Sequence, residues 1–170
     1  MKQLTESLKT QINSHIKSGM DISDLIDGVS IKGADLSYAK ISRLNKSKED
    51  ISGCCFSFAN IGTADSIVNL CGANMHGCSF YKAKFNGVTW FKHAKATNCN
   101  FTGCDLSKLD YAFCDFRNST FCHCIIKLGS REGYRARFSK TFFDELIRFW
   151  NVDGMTIKTD NELNSIKCEE

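Results

Sequence analysis

The chain has no proline in its 170 residues. Proline has no N–H to give to a backbone ladder, so this composition suits a fold in which nearly every residue pairs with a neighbouring strand. Other absences exclude function classes. There is no CxxC pair, no zinc-ligand spacing and no phosphate-cradling glycine loop ahead of a helix, which leaves no motif for a metal or a nucleotide. Charge of neither sign dominates: the net charge is +3 and the isoelectric point about 8.3, below the range of strongly basic nucleic-acid domains. Nothing at the start resembles a secretory signal, so a cytoplasmic location with no membrane association is the expectation.

What is present is a period of five. Large apolar residues fall at Ile31, Leu36 and Ile41, at Ile51, Phe56 and Ile61, and at Leu70, Met75, Phe80 and Phe85. After Trp90 and Phe91 the series resumes at Phe101, Leu106, Tyr111, Phe116, Phe121 and Ile126. A helix would repeat every 3.6 residues and a strand every 2, so a repeat of five means a chain that turns a corner every five residues. Such a chain is a solenoid, and a solenoid points to binding more than to catalysis.

A second column lies two residues upstream of each large position. Ala fills it at 34, 39, 59, 64, 73, 83 and 94, and Cys at 54, 78, 99, 104, 114 and 124. Ala34-Asp35-Leu36, Ala59-Asn60-Ile61, Ala73-Asn74-Met75 and Cys104-Asp105-Leu106 resemble the A-(D/N)-L-x-x unit of the pentapeptide-repeat family, over about residues 29–128. The resemblance implies an all-β solenoid, a right-handed quadrilateral β-helix with four pentapeptides to each square coil. About five coils are expected, roughly 25 Å of rod at a strand spacing of ~4.8 Å. Counting units four at a time stacks Ile31/Ile51/Leu70/Phe91/Tyr111 and Leu36/Phe56/Met75/Ala96/Phe116. The third stack is Ile41/Ile61/Phe80/Phe101/Phe121, and the fourth Lys46/Ser66/Phe85/Leu106/Ile126. Lys46 and Ser66 break the fourth stack, which predicts bulges at 44–50 and 62–69.

The ten cysteines read as structural. Six stand at the small inward position, where a free thiol packs as a compact hydrophobe. Cys122 and His123 point outward and Cys124 inward, so the triplet cannot share one ion. Asp105, Asp110 and Asp115 fall on different sides of the square and cannot act as an acid pair. The four histidines are scattered, without the carboxylate or nucleophile neighbour that acid–base chemistry needs. No catalytic, cofactor or metal residue is expected, and the protein is read as a non-enzyme.

Four segments follow: 1–28 as an N-terminal capping helix with its lead-in, 29–128 as the β-helix, 129–150 as linker and C-terminal helix, and 151–170 as a tail. Leu4, Leu8, Ile12 and Ile16 make a narrow stripe suited to covering the open end of the first coil. In the C-terminal segment Ser139 is a candidate N-cap, and Phe142, Phe143, Leu146, Ile147, Phe149 and Trp150 would spread over about half of a helical wheel. That is wider than one core needs, and predicts an amphipathic cap that also forms a homodimer.

Residues 31–128 carry 12 Lys+Arg against 7 Asp+Glu. Some pentapeptide-repeat proteins protect DNA gyrase from quinolones by imitating a DNA duplex, and an imitation of DNA must be acidic. This rod is mildly basic. Direct nucleic-acid binding is not expected either, because no basic stripe interleaved with aromatics is visible. The candidate partner surface is a corner with Tyr38, Arg43, Lys46, Lys48 and Phe58 beside the two expected bulges. The functional expectation is a rigid rod docking on a protein partner, such as a type II topoisomerase or a defence nuclease. A secreted or phage-delivered effector scaffold and a self-assembling structural protein are the alternatives.

Overall fold

The computed structural model describes residues 1–128, 142–143 and 148–151. Its rod is a right-handed quadrilateral β-helix of short parallel strands. Each corner is a β-turn in which the N–H three residues after a large inward residue returns to that residue's carbonyl, as from Ala34 to Ile31 at 2.9 Å and from Ala59 to Phe56 at 3.0 Å. The third residue of such a turn has positive φ, at Gly33, Gly53 and Gly77 on one edge and at Tyr38, Phe58 and Lys82 on another. The residue before the large one explains the Asp/Asn of the repeat. Its side-chain oxygen accepts the N–H two residues on, as from Ser37 to Asp35, Ser52 to Asp50 and Thr102 to Asn100, each at 3.0 Å.

Four inward stacks result. The first face carries Ile31, Ile51, Met75, Ala96 and Phe116, and the second Leu36, Phe56, Phe80, Phe101 and Phe121. The third carries Ile22, Ile41, Ile61, Phe85, Leu106 and Ile126, and the fourth Lys46, Leu70, Phe91 and Tyr111. This corrects the expected stacking beyond the second coil. Lys40 pairs with Asn60 twenty residues on, but Asn45 pairs with Asn69, twenty-four on, and Asn69 with Trp90, twenty-one on. Four extra residues enter between Ile61 and Leu70, so Leu70 lies over Lys46 and not over Ile51. Ser66 belongs to no stack, and Ala64 is exposed.

Only one of the two expected bulges exists. Residues 62–66 form a loop closed on itself, with Thr63 N–H donating to Ser66 Oγ at 2.6 Å and Ser66 N–H to the Thr63 carbonyl at 3.1 Å. Residues 44–50 are a regular coil segment: Lys46 N–H bonds to the Asn69 carbonyl at 2.9 Å and Ile51 N–H to that of Asn74 at 2.9 Å. The loop rests on Gly87, where a Cβ would stand 2.3 Å from the Ser66 carbonyl oxygen and 2.7 Å from that of Thr63.

The N-terminal helix α1 (Glu6–Lys17) starts at Thr5, whose hydroxyl accepts the Leu8 N–H at 3.3 Å. It buries Ile12 on the first coil, with Leu4, Leu8 and Ile16 packed beside it. A short helix, α2 (Ser23–Ile26), follows.

The expected C-terminal helix is corrected at the residues described there. Phe142–Phe143 is a strand parallel to Thr120–Phe121, and Arg148–Asn151 a strand parallel to Ile125–Leu128. Phe143 stands in register with Phe121, and Phe149 with Ile126. These residues extend the ladder on two faces and are not helical. Their six-residue spacing places them on consecutive faces, just as Phe85 and Phe91 are placed. Leu146 and Ile147 lie outside the described residues, as do the tail at 152–170 and Ser139.

Candidate functional site

The inward cysteines are structural in their bonding. Cys54, Cys78, Cys99 and Cys124 each donate a thiol hydrogen bond to a carbonyl of the preceding coil, at 2.8–3.0 Å. Burial pushes the Cys99 thiol up to about 12 and raises that of Cys104 and of Cys114 as well, so these sulfurs stay protonated and unreactive at neutral pH. Among the described residues no group of three or more His, Cys, Asp or Glu side chains could hold a metal ion. Asp105, Asp110 and Asp115 accept from the N–H groups of Ser107, Ala112 and Arg117 at 2.9, 3.5 and 3.2 Å, which makes each a corner brace.

Lys46 is a correction among the candidate surface residues. Only 1% exposed, it occupies the inward stack of the fourth face. Its Nζ donates to the carbonyls of Ile26 and Val29, both at 2.8 Å, and lies 3.2 Å from Glu49 Oε2. The long stem fills the position that Leu70, Phe91 and Tyr111 take in later coils, while the ammonium ties the α2 exit to the rod. A lysine at an apolar position of the repeat reads as a break in the pattern; it is in fact an inward strut.

The remaining candidates do not form one site. Lys48 is the positive-φ residue of the corner between the fourth and first faces, in line with Gly72, His93 and Phe113. That edge is diagonally opposite the one bearing Tyr38. Arg43 lies between them, where its guanidinium pairs with the Asp24 carboxylate.

Tyr38 and Phe58 do come together. Their rings stack at 4.9 Å between centroids and 4° between planes, 64% and 37% exposed. Two residues that sequence reasoning misses complete the corner. Tyr81 meets Phe58 edge-on at 5.3 Å, and Lys82 Nζ lies 5.2 Å from the Tyr81 ring centre and 6.0 Å from that of Phe58. The coil lengths are the signal that would find them, because 38, 58 and 82 share an edge only when the second coil has twenty-four residues. A positive φ is costly for residues with a Cβ, on the order of 1–2 kcal/mol where glycine has no such cost. Tyr38, Phe58 and Lys82 all adopt it, at 63°, 60° and 53°. A second apolar exposure, Ile67, Val88 and Trp90, lies on the fourth face beside the loop.

The pentapeptide-repeat family, as eight copies of its unit, matches residues 68–89 and 91–124. Those residues are pentapeptide repeats. No curated protein matches it. Among solved structures the chain is similar to a pentapeptide-repeat protein from the thylakoid lumen of Arabidopsis thaliana, at 14% identity over 79% of this chain and 72% of that one, with a TM-score of 0.23. It is similar also to HetL, involved in heterocyst differentiation regulation in the cyanobacterium Nostoc, at 14% identity, 78% of each chain and a TM-score of 0.25. A third is QnrB1, a plasmid-mediated fluoroquinolone resistance protein, at 13% identity over 82% of this chain and 88% of that one, TM-score 0.21. Likenesses of this degree concern the fold alone.

Proposed function

We propose that this protein is a non-enzymatic binding module, a stiff rod that docks on a macromolecular partner through the edge between its second and third faces. The observation that carries the reading is the stacked pair Tyr38 and Phe58, held out to solvent at a backbone conformation that glycine takes more cheaply. The aromatics of the adjoining second-face stack, Phe56, Phe80, Phe101 and Phe121, are by contrast all buried. An exposed aromatic pair on a rigid support is the kind of anchor that dominates binding energy in known interfaces.

Affinity capture with the tagged protein tests this reading, with captured proteins identified by mass spectrometry and captured nucleic acid by sequencing. A Tyr38→Ala/Phe58→Ala variant runs in parallel. The expected result is at least one macromolecule enriched by the native protein and lost in the variant. Equal recovery by a folded variant would remove the edge as the docking site.

A further inference from the structure

We propose that the same edge binds single-stranded nucleic acid, with a base stacked on Tyr38 and phosphates drawn to Lys40, Lys82 and Lys84. The inference rests on the docking edge proposed above and names the class of partner. Three observations carry it. The first is an open ring face. Asp21 pairs with Lys40, which sets Gly19 opposite Tyr38 in the preceding coil, and both residues have positive φ. Phe58 covers one face of the Tyr38 ring. On the other side the column continues with a residue that has no side chain, and a Cβ at Gly19 would meet nothing within 4 Å. The ladder of planar groups therefore ends at Gly19, which places no side chain of its own over the Tyr38 ring.

The second observation is charge. Lys40 and Lys84 are exposed in one outward column of the third face, on either side of Asn60, and Lys82 stands at the corner beside them. None of the three has an ion-pair partner among the described residues, whereas Lys32, Arg43, Lys92 and Arg117 each have one. Three carboxylates stand along the same edge and keep their charge: Asp21, which accepts from Ser23 and Ser42, Asp35, from Ser37, and Asp105, from Ser107, so the attraction for phosphate is confined to the three lysines between them. The third is the alternation itself. Aromatic 38, cation 40, aromatic 58, aromatic 81 and cations 82 and 84 form the basic stripe interleaved with aromatics that the linear sequence does not display. Single strands are held by this combination, because every base has a π-face and every linkage a negative charge. Duplex DNA keeps its bases stacked and unavailable to Tyr38.

Fluorescence anisotropy with a labelled twelve-residue oligothymidylate is the test, set beside a duplex of equal length and a labelled polyglutamate peptide. The expected result is preference for the single strand over both. Tyr38→Ala should weaken it by about tenfold or more, as loss of a base stack does. A Lys40→Ala/Lys84→Ala variant should lower the slope of log affinity against log salt by about 0.7 for each phosphate it no longer neutralises. Lys95→Ala/Lys108→Ala, away from this edge, should leave the Tyr38-dependent part intact. Equal binding of duplex and single strand with no effect of Tyr38→Ala would overturn the proposal, since charge alone would then explain it. So would absence of binding at low salt by protein with a native circular dichroism spectrum. Preference for polyglutamate would overturn it in favour of an acidic protein partner. If the oligonucleotide fails while the capture experiment still shows a Tyr38/Phe58-dependent partner, the docking edge stands and only its nucleic-acid assignment falls.

Discussion

The second and fourth faces of the rod are built by different rules. On the second, Phe56, Phe80, Phe101 and Phe121 lie in one column with centroids 5.1, 5.1 and 4.9 Å apart and planes within 15° of parallel. The small positions beside them are Ala34, Cys54, Cys78, Cys99 and Ser119, all buried. On the fourth face the inward column is Lys46, Leu70, Phe91 and Tyr111, and the neighbouring positions are Leu44, Val68, Thr89 and Leu109. All the extra residues between Lys46 and Tyr111 enter just ahead of the fourth face, four before Leu70 and one before Phe91. A parallel ring stack ties each coil to the next at one fixed position, so a slip there would misplace every ring. The fourth column, a lysine stem, a leucine and two aromatics, accepts a coil entering from a longer loop.

That contrast can be broken at its strongest point first. Phe101→Ala opens a hole between Phe80 and Phe121 and should cost about 3–5 kcal/mol, measured by urea unfolding. Lys46→Met should cost about 3 kcal/mol by the same measurement, because it strands the Ile26 and Val29 carbonyls and the Glu49 carboxylate without their cation. A loss under about 1 kcal/mol, the net worth of a single ordinary hydrogen bond, would show that the lysine acts as stem alone.

The loop gives the next pair. Gly87→Ala should cost about 1–3 kcal/mol, since a Cβ there meets two backbone carbonyls. Deleting residues 63–66 removes both carbonyls and returns the coil to twenty residues, at a cost below about 1 kcal/mol because loop-closure entropy changes slowly with length. In the shortened protein Gly87→Ala should then cost little, a non-additivity that a double-mutant cycle reads directly. The same four residues inserted after Ser57, on the second face, should unfold the rod.

The smallest effect is electrostatic. The hydrogen bond from Lys32, with those from Ser52, holds the Asp50 carboxyl down to about 2. A depressed carboxyl stabilises the fold above its unfolded value near 4, and that contribution is lost as pH falls toward 2. Melting temperature should therefore drop less steeply between pH 4 and 2 in Lys32→Ala than in the native protein. The difference should be slight, because the pair is exposed and screened.

How the sequence relates to the fold follows from the same two faces. The period of five, the small upstream column and the Asp/Asn braces are local, each set within one turn, and all are legible from residue order. α1 is legible too, from its apolar stripe. Which residues lie above one another is a global property, because each stack inherits the summed length of everything before it. Treating 62–66 as one more pentapeptide moves every later residue by one face and places Leu70 over Ile51. It also conceals the edge, since Tyr81 and Lys82 reach Phe58 only after the long coil. At Phe142–Trp150 the difficulty is one of pattern. Aromatics six and seven apart satisfy a helical wheel as readily as two sides of a square, and residue order alone does not choose between them.

The long coil has a mechanical consequence. Inter-coil hydrogen bonds run along the rod, so tension applied to its two ends loads the coils in series and peels them away singly. Each released coil of twenty residues lengthens the tether by up to ~70 Å, and the coil of twenty-four by up to ~85 Å. In an optical trap the rod should lengthen like a ruler with one wide division. The place of that division in the order of release would report from which end the molecule gives way.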